Sequence, residues 1–458
     1  MTHPSGAASV LKAYDVRGPA PDRLGPTLAS AYAIAFAEHV DPDRAGALLL
    51  GRDLRTTSDA IADAVAGALT DAGWDVVDLG ACSTDLLYFG SGDRDEPGIM
   101  ITASHNPAGD NGLKFCRAGA KPIGRDDGLA LVAERAQEVL NGATVVAESA
   151  GTRTPTDLSR AYAQRLTSLS PVQGRRLRVV VDAANAVAGI TAPVVLGGLD
   201  LDLVPLYFEP DGTFPHHDPN PLDPANLVDL SRAVREHDAD IGIAFDGDAD
   251  RCFVVDETGA AVSSSAITCL IAERVLARHP GASILYNLIC SRAVPETIEA
   301  CGGVAIRTPV GHSLIKARMA QTGARFGGEH SGHFYFADFY LADSGMLAAL
   351  HVLGALASTD GRLSELVAPF EMYVASGEVN SVVSDPGAAA RSVVDTYGRR
   401  DDVEIDRLDG ASVRHRQWWF NVRASNTESM LRLNVEATER VTMEQVRDDV
   451  LAVIREDW

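Results

Sequence analysis

Asp246, Asp248 and Asp250 alternate with Gly247 and Ala249, directly after the apolar run Ile241 to Phe245. Carboxylates at i, i+2 and i+4 project to one side of an extended or gently curled segment. Three such charges in one place repel strongly unless a cation sits among them. Hard oxygen ligands imply a hard metal, magnesium above all, with a phosphate completing its shell. A calcium loop also counts Glu257 at the twelfth position from Asp246. Its sixth position, however, is Arg251 where the tight turn needs glycine, and strand-like apolar runs rather than helices flank it. A solvated acidic turn is the plainer alternative. Arg251 beside a metal suits a phosphate that bridges both.

Five further segments carry chemistry. Thr102-Ala103-Ser104-His105-Asn106-Pro107 follows the apolar run Gly98 to Ile101 and presents a hydroxyl at an element end. Alone it reads as a hydrogen-bonded turn or a Ser–His pair. Gly327-Gly328-Glu329-His330-Ser331-Gly332-His333 alternates donors and acceptors in a form suited to vicinal sugar hydroxyls. A zinc site through its two histidines lacks a third soft ligand at metal spacing, and a structural glycine turn remains open. Arg423-Ala424-Ser425-Asn426-Thr427-Glu428, between the strand-like runs Trp418 to Val422 and Leu431 to Val435, offers a cation, two hydroxyls and an amide to a phosphate. Lys12 to Gly18 sets two cations beside Tyr14, and Pro309 to Ser313 is a glycine turn with His312.

The elements that must hold these segments alternate in type. Ala47–Leu50, Val76–Leu79 and Ile99–Thr102 read as strands around a helix over Ser58–Ala72. A polar stretch from Glu148 to Asp157 reads as a boundary. A second α/β block runs through Arg178–Val181 to Ile241–Phe245, and a third from the helix Ser263–His279 through Ser283–Tyr286. From about Pro369 strands alternate up to a final helix, Met443–Arg455. No fixed-period repeat appears. The 458 residues suffice for three or four domains, and 46% hydrophobic with 22% charged residues supports a sizeable core. A net charge of −23 excludes general nucleic-acid or acidic-membrane partners, so an anionic substrate needs a local basic pocket. Met1 to Val10 has neither the basic start nor the apolar core of a leader. The six cysteines show no metal or framework spacing, so reduced thiols and a cytoplasmic location are expected.

In order, these segments resemble the α-D-phosphohexomutase superfamily, most closely its phosphomannomutase/phosphoglucomutase branch, over essentially the whole chain. The resemblance implies an α/β fold of four domains around a central cleft. Three are related α/β domains: 1–150 with the serine loop, 151–260 with the metal loop and 261–368 with the sugar-reading loop. The fourth, 369–458, is a small α+β domain with a phosphate-binding loop. Ser104 is then a phosphoserine, and Asp246, Asp248, Asp250 and the phosphoryl group on Ser104 are ligands of Mg2+. Glu329 and Ser331 correspond to sugar-hydroxyl readers, and Arg423, Ser425, Asn426 and Thr427 to the loop for the non-reacting phosphate. Tyr14, Arg17, His105, Lys114, Arg251, His312 and His333 line the reacting group. Lys114, Arg17 and His333 are the candidates for proton handling and charge relief, while His105 positions the phosphate.

The implied reaction interconverts hexose 1-phosphate and hexose 6-phosphate, of mannose or glucose, through a hexose 1,6-bisphosphate, in a monomer or homodimer. Phosphoglucosamine mutase is the nearest alternative, although His330 between Glu329 and Ser331 fits the mannose/glucose branch better. A metal-dependent sugar phosphatase using Ser104 is the alternative from another class. Three positions depart from the family pattern: Ser429 in place of proline, Ala186 in place of glycine, and Asn287 in place of an acidic residue. None removes a catalytic group.

Overall fold

Four β-sheets, each with its own helices, succeed one another along the chain in a computed structural model that describes residues 6–145, 147–424 and 430–455. The first three share one plan. In the first sheet, parallel strands Ala47–Arg52, Asp75–Ala81 and Gly98–Ile101 give way to the antiparallel Asp110–Arg117. In the second, Leu177–Asp182, Leu201–Leu206 and Ile241–Phe245 are parallel and Cys252–Asp256 is antiparallel. In the third, Ser283–Asn287, Val304–Thr308 and Phe326–Gly328 are parallel and Phe334–Phe336 is antiparallel. Each time, the strand before the switch pairs with the first strand of its block, and the switch itself is a short reversal of direction. The fourth sheet is wholly antiparallel, from Val374–Val382 through Met430–Ala437, Trp418–Ala424 and Ala411–Arg414 to Glu404–Asp406. Its apolar face packs on the helices Pro386–Tyr397 and Arg440–Arg455.

Burial explains the apolar runs. All four residues of Gly98–Ile101 are buried. Ile99 and Ile101 pack toward helix Pro26–Val40, while Met100 joins the core on the opposite face, as strands between two helical layers require. The expected elements form within one to three residues of their sequence limits. The boundary stretch behaves differently, because Arg153–Pro155 inside it adds a parallel strand beside Asp75–Ala81. All six cysteines are free, five of them buried. Among the described residues, no helix is long and apolar enough to cross a membrane.

One buried carboxylate joins the first three α/β units. Asp85, in the first turn of helix Thr84–Arg94, accepts hydrogen bonds from Ser83 Oγ, from Tyr162 OH (2.7 Å) of helix Ser159–Leu169, and from Ser344 Oγ (2.6 Å) ahead of helix Gly345–Ala357. Burial pushes its carboxyl up to about 6, and the three hydroxyl donors offset only part of that rise. The folded state therefore holds the proton more tightly than the unfolded chain, whose carboxyl titrates near 3.8. This stabilisation is fully present below the unfolded value and lost as pH rises through 6. Asp85→Asn removes the dependence. Urea unfolding should show the variant gaining roughly 2–3 kcal/mol relative to the parent between about pH 4 and pH 7, and a pH-independent difference would contradict this account.

Candidate active site

The three motif-bearing loops occupy the same topological place, the reversal after the last parallel strand of each α/β unit. The hairpin registers put Ser104, Asp246–Arg251 and Glu329–His333 at these turns, where side chains leave the sheets and meet.

Ser104 is fully buried and adopts the left-handed backbone region at φ 53°. That conformation is uncommon for a residue with Cβ and persists only when its surroundings hold it. Its N–H donates to Thr102 Oγ1 (2.8 Å), and its Oγ donates to Asp246 Oδ2 (2.8 Å). Gly247 makes this approach feasible, since a Cβ there would collide with the Ser104 carbonyl oxygen. His105 Nδ1 lies 3.3 Å from Ser104 Oγ. The single hydroxyl proton goes to Asp246, which leaves Nδ1–H as the donor in that contact. The Arg251 charge, burial and Arg17 hold the His105 imidazolium well below its ordinary range. A neutral imidazole at this distance can orient the serine oxygen.

The acidic loop is a hairpin turn with Ala249 left-handed at φ 59°. Its three carboxylates bring oxygens within 4.8 Å of one another, and all are buried. Lys114 Nζ, from strand Asp110–Arg117, lies 2.5 Å from Asp248 Oδ2 and 2.6 Å from Asp250 Oδ2. Burial works against the Lys114 charge, yet the two aspartates outweigh it and hold the ammonium form. Burial and then Asp248 and Asp250 push the Asp246 carboxyl well up. Asp248 has the opposite net direction: Lys114 and Thr84 overcome its burial and its repulsion from Asp250. Asp248 Oδ1 is buried without a hydrogen-bond partner. An oxygen-only set with such an orphaned carboxylate atom fits a hard cation. Asp343 also stands near Asp250 and His333, but Lys316 Nζ already lies 2.5 Å from it and packs on the Tyr88 ring.

The third loop meets the second directly. Arg251 and His333 form an antiparallel bridge, and Arg251 Nε donates to His333 Nε2 (3.1 Å). Glu329 is buried and accepts from Asn287 Nδ2 (3.1 Å), Gly311 N (3.3 Å) and Tyr335 OH (2.8 Å). Burial raises its carboxyl, with these donors offsetting part of the rise. Asn287 is thereby explained: an acidic residue would repel Glu329, whereas the amide donates to it and to His330 Nδ1 (2.9 Å). Burial and the Arg423 charge push the His330 imidazolium down to about 3, leaving it neutral. Ser331 Oγ lies 3.0 Å from His333 Nδ1.

Tyr14 abuts Gly311, whose Cβ would strike the phenol. Burial and then the Glu329 and Asp409 charges raise that phenol, with Arg423 opposing them. Arg423 Nη2 donates to Glu378 Oε2 (3.1 Å). Arg17 donates to Asp15 Oδ2 (2.7 Å) and, through Nη1, to the Ala103 carbonyl (3.0 Å). His312 begins helix His312–Thr322, with its backbone beside this group. Ser425, Asn426 and Thr427, like Ser429, lie outside the described residues. The remaining expected residues come from all four units, and those around Ser104, Asp246–Arg251 and Glu329–His333 contact one another.

Two contributors escape motif reading. Arg55 is buried, and all five of its N–H donors are engaged. Nε reaches Asp53, Nη1 the carbonyls of Pro107 and Asp110, and Nη2 those of Ser104 and Asn106, at 2.6–3.0 Å. It thus clamps the serine loop over 49 or more residues of sequence separation. Thr84 Oγ1 donates to Asp248 Oδ2 (2.6 Å), while its N–H takes the Asp248 carbonyl (2.9 Å).

The sequence matches all four phosphoglucomutase/phosphomannomutase domain families: alpha/beta/alpha domain I over 8–140, domain II over 160–259, domain III over 263–373 and the C-terminal domain over 378–453. The chain belongs to this family. It is 39% identical to a protein of Xanthomonas campestris pv. campestris named for phosphohexose mutases, over 93% of this chain and 94% of that one. It is 38% identical to a phosphomannomutase of Escherichia coli K12, over 97% of this chain and 98% of that one. The crystal structure of a phosphoglucomutase/phosphomannomutase family protein from Burkholderia thailandensis superposes with TM-score 0.88, at 30% identity, over 99% of this chain and 98% of that one.

The Arg55 clamp is testable on structure alone. Arg55→Ala leaves a buried Asp53 and four carbonyls without their donor and should cost about 3–5 kcal/mol of stability. Amide hydrogen exchange should rise across 103–110 before it rises elsewhere. Unchanged protection of that loop would remove the clamp role.

Proposed function

We propose that the protein interconverts hexose 1-phosphate and hexose 6-phosphate, of mannose or glucose, with Ser104 carrying the phosphoryl group. The observation that carries this reading is the Ser104 hydroxyl, buried and hydrogen-bonded to Asp246, beside three clustered carboxylates and the charged Lys114 and Arg251. Phosphoryl transfer is mainly positioning and charge stabilisation, which this arrangement supplies. Asp246, Asp248 and Asp250 would hold Mg2+, which when bound neutralises charge on the transferring group.

In the forward step the bond from phosphorus to Ser104 Oγ breaks and a bond to the free sugar hydroxyl forms. The hydroxyl proton leaves to a base, and Ser104 Oγ takes one up. Lys114, an ammonium beside the carboxylate cluster, is the candidate to give that proton, once its hold by Asp248 and Asp250 is loosened. Arg17 stays a guanidinium and serves charge relief. His333, accepting from Arg251 in the resting arrangement, is the candidate to receive the sugar proton. The bound bisphosphate then turns end over end, and Ser104 recovers the other phosphate. Glu329 and Ser331 read the sugar hydroxyls, with Tyr14, Arg251 and His312 around the ring. Arg423 with Ser425, Asn426 and Thr427 holds the phosphate that is not reacting. The Asn287–Glu329 and Asn287–His330 bonds support a fixed hydroxyl reader.

Intact mass spectrometry should find one phosphate on the Ser104 peptide, lost on incubation with hexose phosphate. Ser104→Ala should lower turnover by at least ~10³-fold while hexose phosphate binding survives; near-normal turnover sinks the mechanism. Free inorganic phosphate as the main product would favour the phosphatase reading. Chelation should silence the isomerisation and added Mg2+ restore it, and a rate unaffected by chelator would remove the role given to the three aspartates.

A further inference from the structure

A cavity of about 310 Å3 lies between the third and fourth sheets and contains none of the residues gathered around Ser104. Its walls come from both units. Arg292 precedes helix Ala293–Ala300 and Arg307 lies in strand Val304–Thr308, while Arg414 and Trp419 face them from the fourth sheet. Val310, whose N–H donates to Asp409 Oδ2 (3.1 Å), stands in the chain between Arg307 and the Gly311 that borders Tyr14.

The guanidiniums here share their carboxylates. Asp406 is shared by Arg307 and by Arg414 (3.7 Å). Glu296 is shared by Arg292 (3.7 Å) and the Tyr373 hydroxyl (2.7 Å). Three guanidiniums thus gather beside Asp406, Glu296 and the buried Glu436, which takes the Arg292 backbone N–H (3.0 Å), inside a protein of net charge −23. Guanidinium forks clustered around a cavity suit phosphate, although Arg292 Nη1 already donates to the Arg416 carbonyl (2.9 Å). The Trp419 indole N–H is taken by Glu436 (2.8 Å), so with Tyr286 it offers ring surface rather than a donor. A volume near the lower end of small-molecule sites suits one compact ligand.

We propose that this cavity is a second, regulatory site for a phosphomonoester of sugar-phosphate or nucleoside-monophosphate size. The phosphate sits among Arg292, Arg307 and Arg414, and the body lies along Trp419 and Tyr286. Such a ligand ties the third unit to the fourth. It also draws on Arg292, which stacks on Tyr373 (5.4 Å to the ring centre) immediately before strand Val374–Val382, where the chain passes between the two units. Occupancy thus restrains the fourth unit and slows turnover. The effect on turnover rests on the mutase reading above, whereas the binding does not.

Calorimetric titration of metal-free protein with adenosine 5′-monophosphate and with mannose 6-phosphate tests it. The nucleotide should bind even when mannose 6-phosphate saturates the cleft, or mannose 6-phosphate itself should show a second, weaker phase. Either result supports the site, and which probe binds identifies the source of the phosphomonoester. Arg414→Glu, at a side chain 43% exposed, should weaken that binding at least ~10-fold and abolish noncompetitive inhibition by the same ligand, leaving basal turnover unchanged. Failure of both probes in the unaltered protein, or equal affinity in the parent and Arg414→Glu, overturns the proposal.

Discussion

Three aspartates at most 1% exposed, with their oxygens within 4.8 Å of one another, set the terms for the rest of the molecule. No single α/β unit supplies enough positive charge to hold them. Lys114 comes from the first unit and Arg251 from the acidic loop itself, and His333 of the third unit ties Arg251 in place. The burial of like charges is therefore possible only where the units meet. Isolated burial of such groups costs far more than one domain of this size recovers. The site and the assembly of the domains are one electrostatic problem.

The geometry that solves it is repeated without a repeated sequence. Each α/β unit turns from parallel to antiparallel pairing at its third principal strand, and each turn carries a chemical motif. Strand order depends on which segments are apolar on both faces and on the handedness of the crossovers. It does not depend on residue identity. One topology therefore presents a hydroxyl, a carboxylate set and the Glu329–His333 loop to a common centre, and the loops are free to differ.

This also explains what was legible beforehand. Asp246–Arg251 and Glu329–His333 are contiguous, so their chemistry is visible along the chain. Arg55 is not: apart from Asp53, its partners lie 49 to 55 residues away and are backbone carbonyls, which carry no residue signature. Thr84 reaches Asp248 across 164 residues, and nothing in a Ser-Thr-Asp run at a helix start distinguishes it from an ordinary cap. The strand Arg153–Pro155 within the boundary stretch is not legible, because three residues leave too short a pattern to detect. The departure at Asn287 was visible, but its reason was not, since the explanation lies in Glu329 and His330 more than 40 residues on.

The acidity of the chain poses a last constraint. A surface carrying −23 overall repels an anionic sugar phosphate at long range, although physiological salt screens that field within about 8 Å. Recognition must then come from cations inside the screening distance, already oriented when the ligand arrives. Arg17 is pinned by Asp15 and Ala103, Lys114 by two aspartates, and Arg251 by His333. Each cation is held by partners that a phosphate oxygen or a metal can take over without moving the backbone. The same carboxylates that make the protein acidic thus keep its few buried cations charged and placed, so that positive charge concentrates where the three α/β units converge.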